Sequence, residues 1–145
     1  MGFESPITAG AQATAIDHAA IHGSLGDPRF LTYLHGRFAG ARQERLHVVY
    51  CDDAERYLHD ETLLIGAEHS LVVKARPLVH RALTVGAQSL VLAHNHLSGI
   101  CRPSEQDVAA TRRLQQLGRE LELTLIDHLI FTHDRAFSMR MGGYL

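Results

Sequence analysis

The chain has 145 residues, of which 46% are hydrophobic and 21% are charged, and its formal net charge at pH 7 is −2. Such a composition is typical of one globular domain, and it excludes the broad basic surface of most nucleic-acid-binding proteins because 16 acidic residues offset 14 basic ones. Two cysteines are too few for a disulfide framework, and the longest apolar stretches fall far short of a membrane span.

The first half of the chain predicts two helices followed by a hairpin. Residues 11–22 and 28–39 have helical patterns, separated by the turn-rich GSLGD, and Pro28 suits the first position of a helix. Residues 44–51 and 57–65 are predicted to be two strands joined by a tight turn.

The second half predicts alternating helices and strands. The expected elements are a short apolar piece at 71–73, a helix at 77–86, a buried strand at 88–94, a loop at 95–103, a helix at 104–119 and closing strands at 123–132 and 136–140. On the long helix, Val108, Leu114 and Leu117 suggest an inward stripe. The alternation favours an α/β layered domain.

Cell location and domain division are also predicted from this pattern. The sequence shows no secretory segment and no disulfide framework, so we expect a reduced, cytoplasmic protein that does not enter a membrane. We expect residues 1–40 to form an N-terminal helical segment that packs on the main domain at 41–145.

A cluster of polar residues follows the most apolar strand. His94 and His96 end the run LVLAHNH, and side chains two apart in an extended chain point to the same face. Two imidazoles aimed at one point suit a divalent metal, and Asp107 in the next helix is the candidate third ligand.

The same residues also have a purely structural interpretation. Pro103-Ser104-Glu105-Gln106-Asp107 is a helix-start signature, in which Ser104 caps the helix and Asp107 closes a capping box. Taken alone, Ser104 and Asp107 favour this interpretation. One residue can serve both purposes, since a capping serine still presents a hydroxyl group.

The complete spacing resembles a known motif. His94, His96, Ser104 and Asp107 match H-x-H, seven residues, S, two residues, D, which resembles the JAMM (MPN+) metalloprotease motif. The wider runs AHNHLSG, PSEQD and IDHLIF resemble the RadC branch of that family, over about residues 40–145.

This resemblance implies a fold and a mechanism. The fold would be an MPN, cytidine-deaminase-like layered domain with a mixed, largely antiparallel central sheet flanked by helices. His94, His96 and Asp107 would hold one Zn²⁺, Glu44 would be the general base, and Ser104 would stabilise the oxyanion during amide or isopeptide hydrolysis. Glu55 and Glu61 compete with Glu44 for the role of base, although both fall in the hairpin turn or its second strand.

The sequence departs from the RadC pattern at three points. Leu97 stands where the family usually has Pro, and Ala67 follows Gly66 in place of the usual Thr. The helix-hairpin-helix segment that often precedes the domain in longer members is not among the 145 residues. None of these departures removes a predicted ligand.

Other polar residues near the motif are expected to be structural. Asn95 should point to the opposite face and bond within the loop, and Cys101 should be an inert loop thiol. For Asp127 and His128, a pair supporting the site and a buried structural pair are equally good interpretations. The remaining eight histidines have no ligand spacing and are predicted to be surface or core residues.

Two other functions compete with the peptidase. The letters HNH suggest a metal-dependent nuclease, but that motif is not a contiguous triplet and the net charge is negative. A non-catalytic MPN interaction module would generally lack the ligands that are present here. The expected partner is a peptide or protein of unknown identity; nucleic acid is unsupported but left open, and a homodimer is compatible with the sequence.

Overall fold

A computed structural model of the chain describes residues 4–6, 27–64 and 74–145. The strands are β1 (Glu4–Pro6), β2 (Arg45–Cys51), β3 (Tyr57–Leu64), β4 (Ser89–Asn95), β5 (Thr124–Phe131) and β6 (Arg135–Ser138). The helices are α1 (Pro28–Gly36), α2 (Ala75–Val85) and α3 (Glu105–Glu120). The strands form one sheet in the order β1-β6-β5-β4-β2-β3.

The sheet is mixed and largely antiparallel, which confirms the predicted fold class. Only β4 and β5 pair in parallel in the described part of the chain, and α3 makes the crossover between them. A parallel neighbour needs such a long connection because the chain must return to the same end of the sheet. Both the carboxyl end of β4 and the start of α3 therefore lie at one edge of the sheet.

Helices cover both faces of this sheet. α1 packs on one face, where Phe30, Leu31 and Leu34 join a buried cluster with Val49 and Val91. The other face carries α2 and α3, whose buried side chains form a second cluster with those of β2 and β4; its members include Leu78, Ala82, Leu114, Val48 and Leu92. With helices on both faces, β4 is buried at every position, which explains its unbroken apolar run.

Most predicted elements are confirmed, with shifted ends. The predicted helix at 28–39 already ends at Gly36, and the one at 77–86 begins earlier, at Ala75. The predicted helix at 11–22 and the apolar piece at 71–73 lie outside the described residues.

The inward stripe predicted for α3 was wrong in part. The buried positions are Asp107, Thr111, Leu114 and Gly118, whereas Val108 and Leu117 are only half-buried. The true stripe follows the spacing of one helix face, but two of its four members are polar. The helix thus turns a carboxylate and a hydroxyl group toward the sheet.

No helix in the part of the chain that the structure describes is long and apolar enough to cross a membrane. The division at residue 40 and the cytoplasmic location stay predictions. α1 shares a buried cluster with the sheet, so residues 28–36 pack against it.

Candidate metal centre

His94 and His96 meet at the carboxyl end of β4. The side chain of His94 is 1% exposed, and His96 follows the strand while its backbone N–H still bonds to the carbonyl of Phe131, at 2.8 Å. The extended backbone turns both rings to the same side, where their centroids lie 4.7 Å apart and nearly perpendicular. The strand end therefore places two imidazoles side by side, as the sequence predicts.

The capping box of α3 brings Asp107 to the same point. Ser104 Oγ accepts the backbone N–H of Asp107 at 3.0 Å, and Asp107 Oδ2 accepts the backbone N–H of Ser104 at 2.8 Å. The same Oδ2 lies 2.9 Å from His96 Nε2, and Oδ1 lies 3.7 Å from His94 Nδ1. The structural interpretation of Ser104 and Asp107 is correct, and it is also what positions the carboxylate between the two histidines.

These three side chains fit a divalent metal. One donor atom from each of His94, His96 and Asp107 lies within 4.8 Å of the other two. Two imidazoles and one carboxylate are the donor set of zinc sites that keep a fourth position open. The residues present thus suit zinc better than a hard cation, which prefers oxygen ligands.

Glu44 lies next to this group, just before the neighbouring strand β2. β2 pairs antiparallel with β4 so that Leu46 faces His94, and Glu44 comes just before β2 begins. Its Oε2 is 3.4 Å from His94 Nε2, and its side chain is 17% exposed. The acid is therefore near the ligands and open to solvent, as a proton carrier must be.

The competing glutamates lie elsewhere. Glu61 on β3 accepts a hydrogen bond from Tyr50 at 2.8 Å and pairs with Arg81 at 3.3 Å. Glu55 sits in the turn between β2 and β3, with a positive φ of 59°. Of the three candidates, Glu44 is the one that the structure brings into contact with a predicted ligand.

Burial and mutual contact shift the protonation of the group. Burial lowers the pKa of His94, and the neighbouring His96 lowers it further. For His96 burial acts in the same direction, but its hydrogen bonds to Asp107 and the carbonyl of Ile100 outweigh burial and raise the pKa. Burial opposes the charge on Asp107, yet His96, the N–H of Ser104 and His94 hold its pKa well below the usual range. The Asp107 carboxylate is thus an anion at any physiological pH.

Asp127 and His128 do not form a pair with each other's side chains. Neighbours in a strand face opposite ways, and Asp127 accepts bonds from the Ser138 hydroxyl group and the backbone N–H of Arg140. His128 instead faces the candidate centre: its ring centroid is 6.0 Å from that of His94, and its Nδ1 lies 2.7 Å from Thr111 Oγ1. Complete burial and the nearby His94 lower the pKa of His128. Asp127 is thus structural, and His128 borders the site.

Sequence reasoning missed Thr111 altogether. The one available signal is its place four residues after Asp107, on the same face of α3, where an apolar residue would be the default. Asn95 bonds to the backbone on either side of Glu44 and not within its own loop as predicted, and the inertness of the Cys101 thiol stays a prediction. Asn95 accepts the N–H of Arg45 and donates to the carbonyl of Gln43, and burial raises the pKa of the Cys101 thiol to about 11.

A cavity opens beside His96 on the α1 side of the sheet. Its volume is about 270 Å³, and its lining includes Phe38, Phe131 and Leu97. Leu97 is 52% exposed, and Ile100, in the same loop, is 63% exposed. The described surface next to the histidines is therefore apolar and open.

A second buried polar group lies away from the centre, on the α1 face. Asp60 accepts bonds from His47 and Tyr33, both at 2.6 Å, and from Tyr57 at 2.5 Å. His47 also contacts Thr62. His47 was predicted only to be a surface or core residue; it is buried, and its carboxylate partner was not foreseen. The group ties α1 to the β2–β3 hairpin.

Comparison with known proteins identifies relatives across most of the chain. The family model described as "RadC-like JAB domain" matches residues 27–144. A UPF0758 protein of Bacillus licheniformis is 34% identical over 121 residues, which are 83% of this chain and 50% of the relative. A UPF0758 protein of Acidithiobacillus ferrooxidans is 35% identical over 115 residues, 79% of this chain and 51% of that protein. The chain thus spans about half the length of the curated relatives it matches.

Proposed function

The chain belongs to the RadC-like JAB domain family, and on that premise we propose that it is a zinc-dependent hydrolase of amide or isopeptide bonds in peptides or proteins. His94, His96 and Asp107 hold one Zn²⁺ in this proposal. When bound, the ion supplies Lewis-acid chemistry, because it acidifies water and polarises a carbonyl group.

The observation that carries the proposal is the contact between Glu44 and His94, one of the three candidate ligands. A structural metal site is closed by protein ligands, whereas this group has three ligands and a partly exposed carboxylate at its mouth. A carboxylate in that place is not needed as a metal ligand, but it can move protons during hydrolysis.

Each remaining group has a defined part in the reaction. Glu44 takes a proton from the attacking water and delivers it to the departing amine. Ser104 donates a hydrogen bond from its hydroxyl group to the oxygen on which negative charge develops. The hydroxyl group can do so because its Oγ acts only as an acceptor in the helix cap. Asp107 stays anionic throughout.

The cavity beside His96 gives the substrate a place next to the scissile bond. Its 270 Å³ is slightly below the roughly 300–1,000 Å³ of small-molecule pockets, which suits one or two residues of a peptide. Phe38, Leu97 and Phe131 would contact an apolar side chain there.

Zinc binding by the purified chain is the first test. We expect the metal-free protein to take up one zinc ion per chain, and Asp107→Ala to weaken binding at least 100-fold, because its carboxylate is a ligand. Titration against a chromogenic chelator measures both. Asp134→Ala serves as the matched control, since Asp134 is an exposed aspartate away from the group.

Hydrolysis is then assayed with a library of fluorogenic peptides and ubiquitin-like conjugates. Zinc-dependent cleavage that is lost in Asp107→Ala supports the peptidase. Zinc binding without cleavage of any substrate favours an interaction module, and zinc-dependent cutting of plasmid DNA favours the nuclease. Equal zinc binding by Asp107→Ala and the wild type would remove the basis of the proposal.

A further inference from the structure

Two unsatisfied nitrogen atoms belong to neighbouring rings at the candidate centre. Three buried side-chain nitrogen or oxygen atoms of the described residues lack a hydrogen-bond partner, and two of them are His94 Nδ1 and His128 Nε2. The two ring centroids are 6.0 Å apart, with 45° between the ring planes. A buried polar atom without a hydrogen-bond partner costs about 1–3 kcal/mol. Two such atoms on neighbouring rings therefore need an explanation.

Thr111 determines which nitrogen of His128 carries the proton. Thr111 Oγ1 lies 2.6 Å from the carbonyl oxygen of Asp107, which can only accept, so the hydroxyl proton is directed there. The oxygen of Thr111 must then accept from His128 Nδ1, 2.7 Å away. His128 is completely buried with no counterion in contact, so its ring is neutral. Its Nε2 therefore presents a lone pair.

His94 has the complementary need. Its Nε2 faces Glu44 at the solvent side of the group, while its Nδ1 is enclosed, 3.7 Å from Asp107 Oδ1 and without a hydrogen bond to any described residue. If Nε2 gives its lone pair to a metal, the proton of the neutral ring must sit on Nδ1, which then requires an acceptor. The lone pair on His128 Nε2 is an acceptor on the adjacent ring.

From these two steps we propose that His128 is a positioning residue for the metal centre. The chain of bonds runs from His94 Nδ1–H to His128 Nε2, from His128 Nδ1–H to Thr111, and from the Thr111 hydroxyl group to the backbone of Asp107. The first of these bonds is the proposed one, and the other two are present in the structure. The relay fixes His94 with its Nε2 lone pair toward the metal, and it joins two ligands through α3. It rests on the zinc site of the proposed function.

The test compares zinc affinity in variants of His128 and Thr111. His128→Phe keeps the ring volume but removes the acceptor, and we expect its zinc dissociation constant to rise 10–100-fold, as for other lost partners of ligating histidines. His128→Gln restores an acceptor at the same distance along the side chain and should bind within about threefold of the wild type. Thr111→Val should weaken binding, and Thr111→Ser should not.

A double-mutant cycle distinguishes a relay from general damage. Because Thr111 acts through His128, Thr111→Val should add nothing to the effect of His128→Phe. Additive losses, or a His128→Phe variant that binds zinc like the wild type, would overturn the relay.

Imidazole ¹⁵N–¹H correlation spectra provide a readout that does not depend on catalysis. We expect zinc-loaded protein to show His94 with its proton on Nδ1 and its Nε2 bound to the metal. We expect His128 to carry its proton on Nδ1 with and without zinc. A His128 ring protonated on Nε2 contradicts the relay even if the protein binds no zinc, whereas absence of zinc binding with His128 protonated on Nδ1 refutes only the proposed function.

Discussion

Glu44, just before β2, and Glu61, on β3, allow the role of the Glu44 carboxylate to be tested against a matched control. Glu44 lies 3.4 Å from His94 and is partly exposed, whereas Glu61 is engaged by Tyr50 and Arg81. We expect Glu44→Gln to bind zinc with unchanged affinity and to lose about 10²–10⁴-fold in kcat, because the amide cannot carry the proton. Glu61→Gln is the matched control and should keep its activity. A fully active Glu44→Gln would assign the base elsewhere.

Ser104 caps α3 and is also the proposed oxyanion donor, and substitutions at this position can separate the two roles. Glycine is nearly as good a cap as serine, while alanine costs about 1 kcal/mol of stability. We therefore expect Ser104→Gly to unfold within a few tenths of a kcal/mol of the wild type but to lose about 10²-fold or more in kcat. Ser104→Thr, which retains the hydroxyl group, should keep both. Denaturant unfolding and kcat, measured on the same samples, test the two roles separately. Full activity in Ser104→Gly would mean that Ser104 only caps the helix.

At the level of elements, α3 contains a glycine on its buried face, although glycine has a low intrinsic propensity for helices. Gly118 lies on the buried face, and a Cβ there would overlap the carbonyl oxygen of Leu123. In an ordinary helix interior Gly→Ala gains about 1 kcal/mol. Here we expect Gly118→Ala to lose roughly 2 kcal/mol, because the connection to β5 must move. Thermal unfolding beside the exposed control Ala109→Gly tests this, and a higher Tm for Gly118→Ala would contradict it.

Element boundaries and the ligand spacing could be predicted, because they depend on local patterns. The apolar run of β4, the turn before α3 and the helix-start signature are all continuous in sequence. Thr111 could not be predicted, since its meaning depends on His128 from a different element. The register of β5 was equally hidden: the consecutive β4 residues Leu90 and Val91 pair with Leu125 and Asp127, an irregularity that places Ile126 outside the simple alternation.

At the scale of the whole molecule, the Asp60 group ties α1 to the sheet through one buried carboxylate. Burial opposes the charge of Asp60, but bonds from His47, Tyr33 and Tyr57 hold its pKa well below the usual range. A depressed folded pKa contributes stability above the unfolded value of about 3.9, and that contribution is lost as pH falls further. We expect Asp60→Asn to lose roughly 3 kcal/mol at pH 7.

The pH dependence gives this prediction its sign. The difference between wild type and Asp60→Asn should shrink as pH falls below about 4, because Asp60 then takes up a proton in the unfolded wild type while it stays ionised in the fold, which favours unfolding. Urea unfolding at pH 7, 5 and 3 measures it, with Asp134→Asn as an exposed control that changes little at any pH. A difference that grows on acidification would mean that Asp60 is not the ionised group. Neither His47 nor Asp60 stood out in sequence, since their contact joins two antiparallel strands at positions that share no motif.

The capping box at the start of α3 also has a kinetic meaning. Asp107 Oδ2 is held by the backbone N–H of Ser104 and by His96 before any ion arrives, so the conformational entropy of ordering this side chain is spent when the helix forms and not when metal is captured. Loading of the folded protein then requires no slow rearrangement of the chain. In stopped-flow mixing, zinc uptake should follow one exponential phase whose rate grows in proportion to metal concentration.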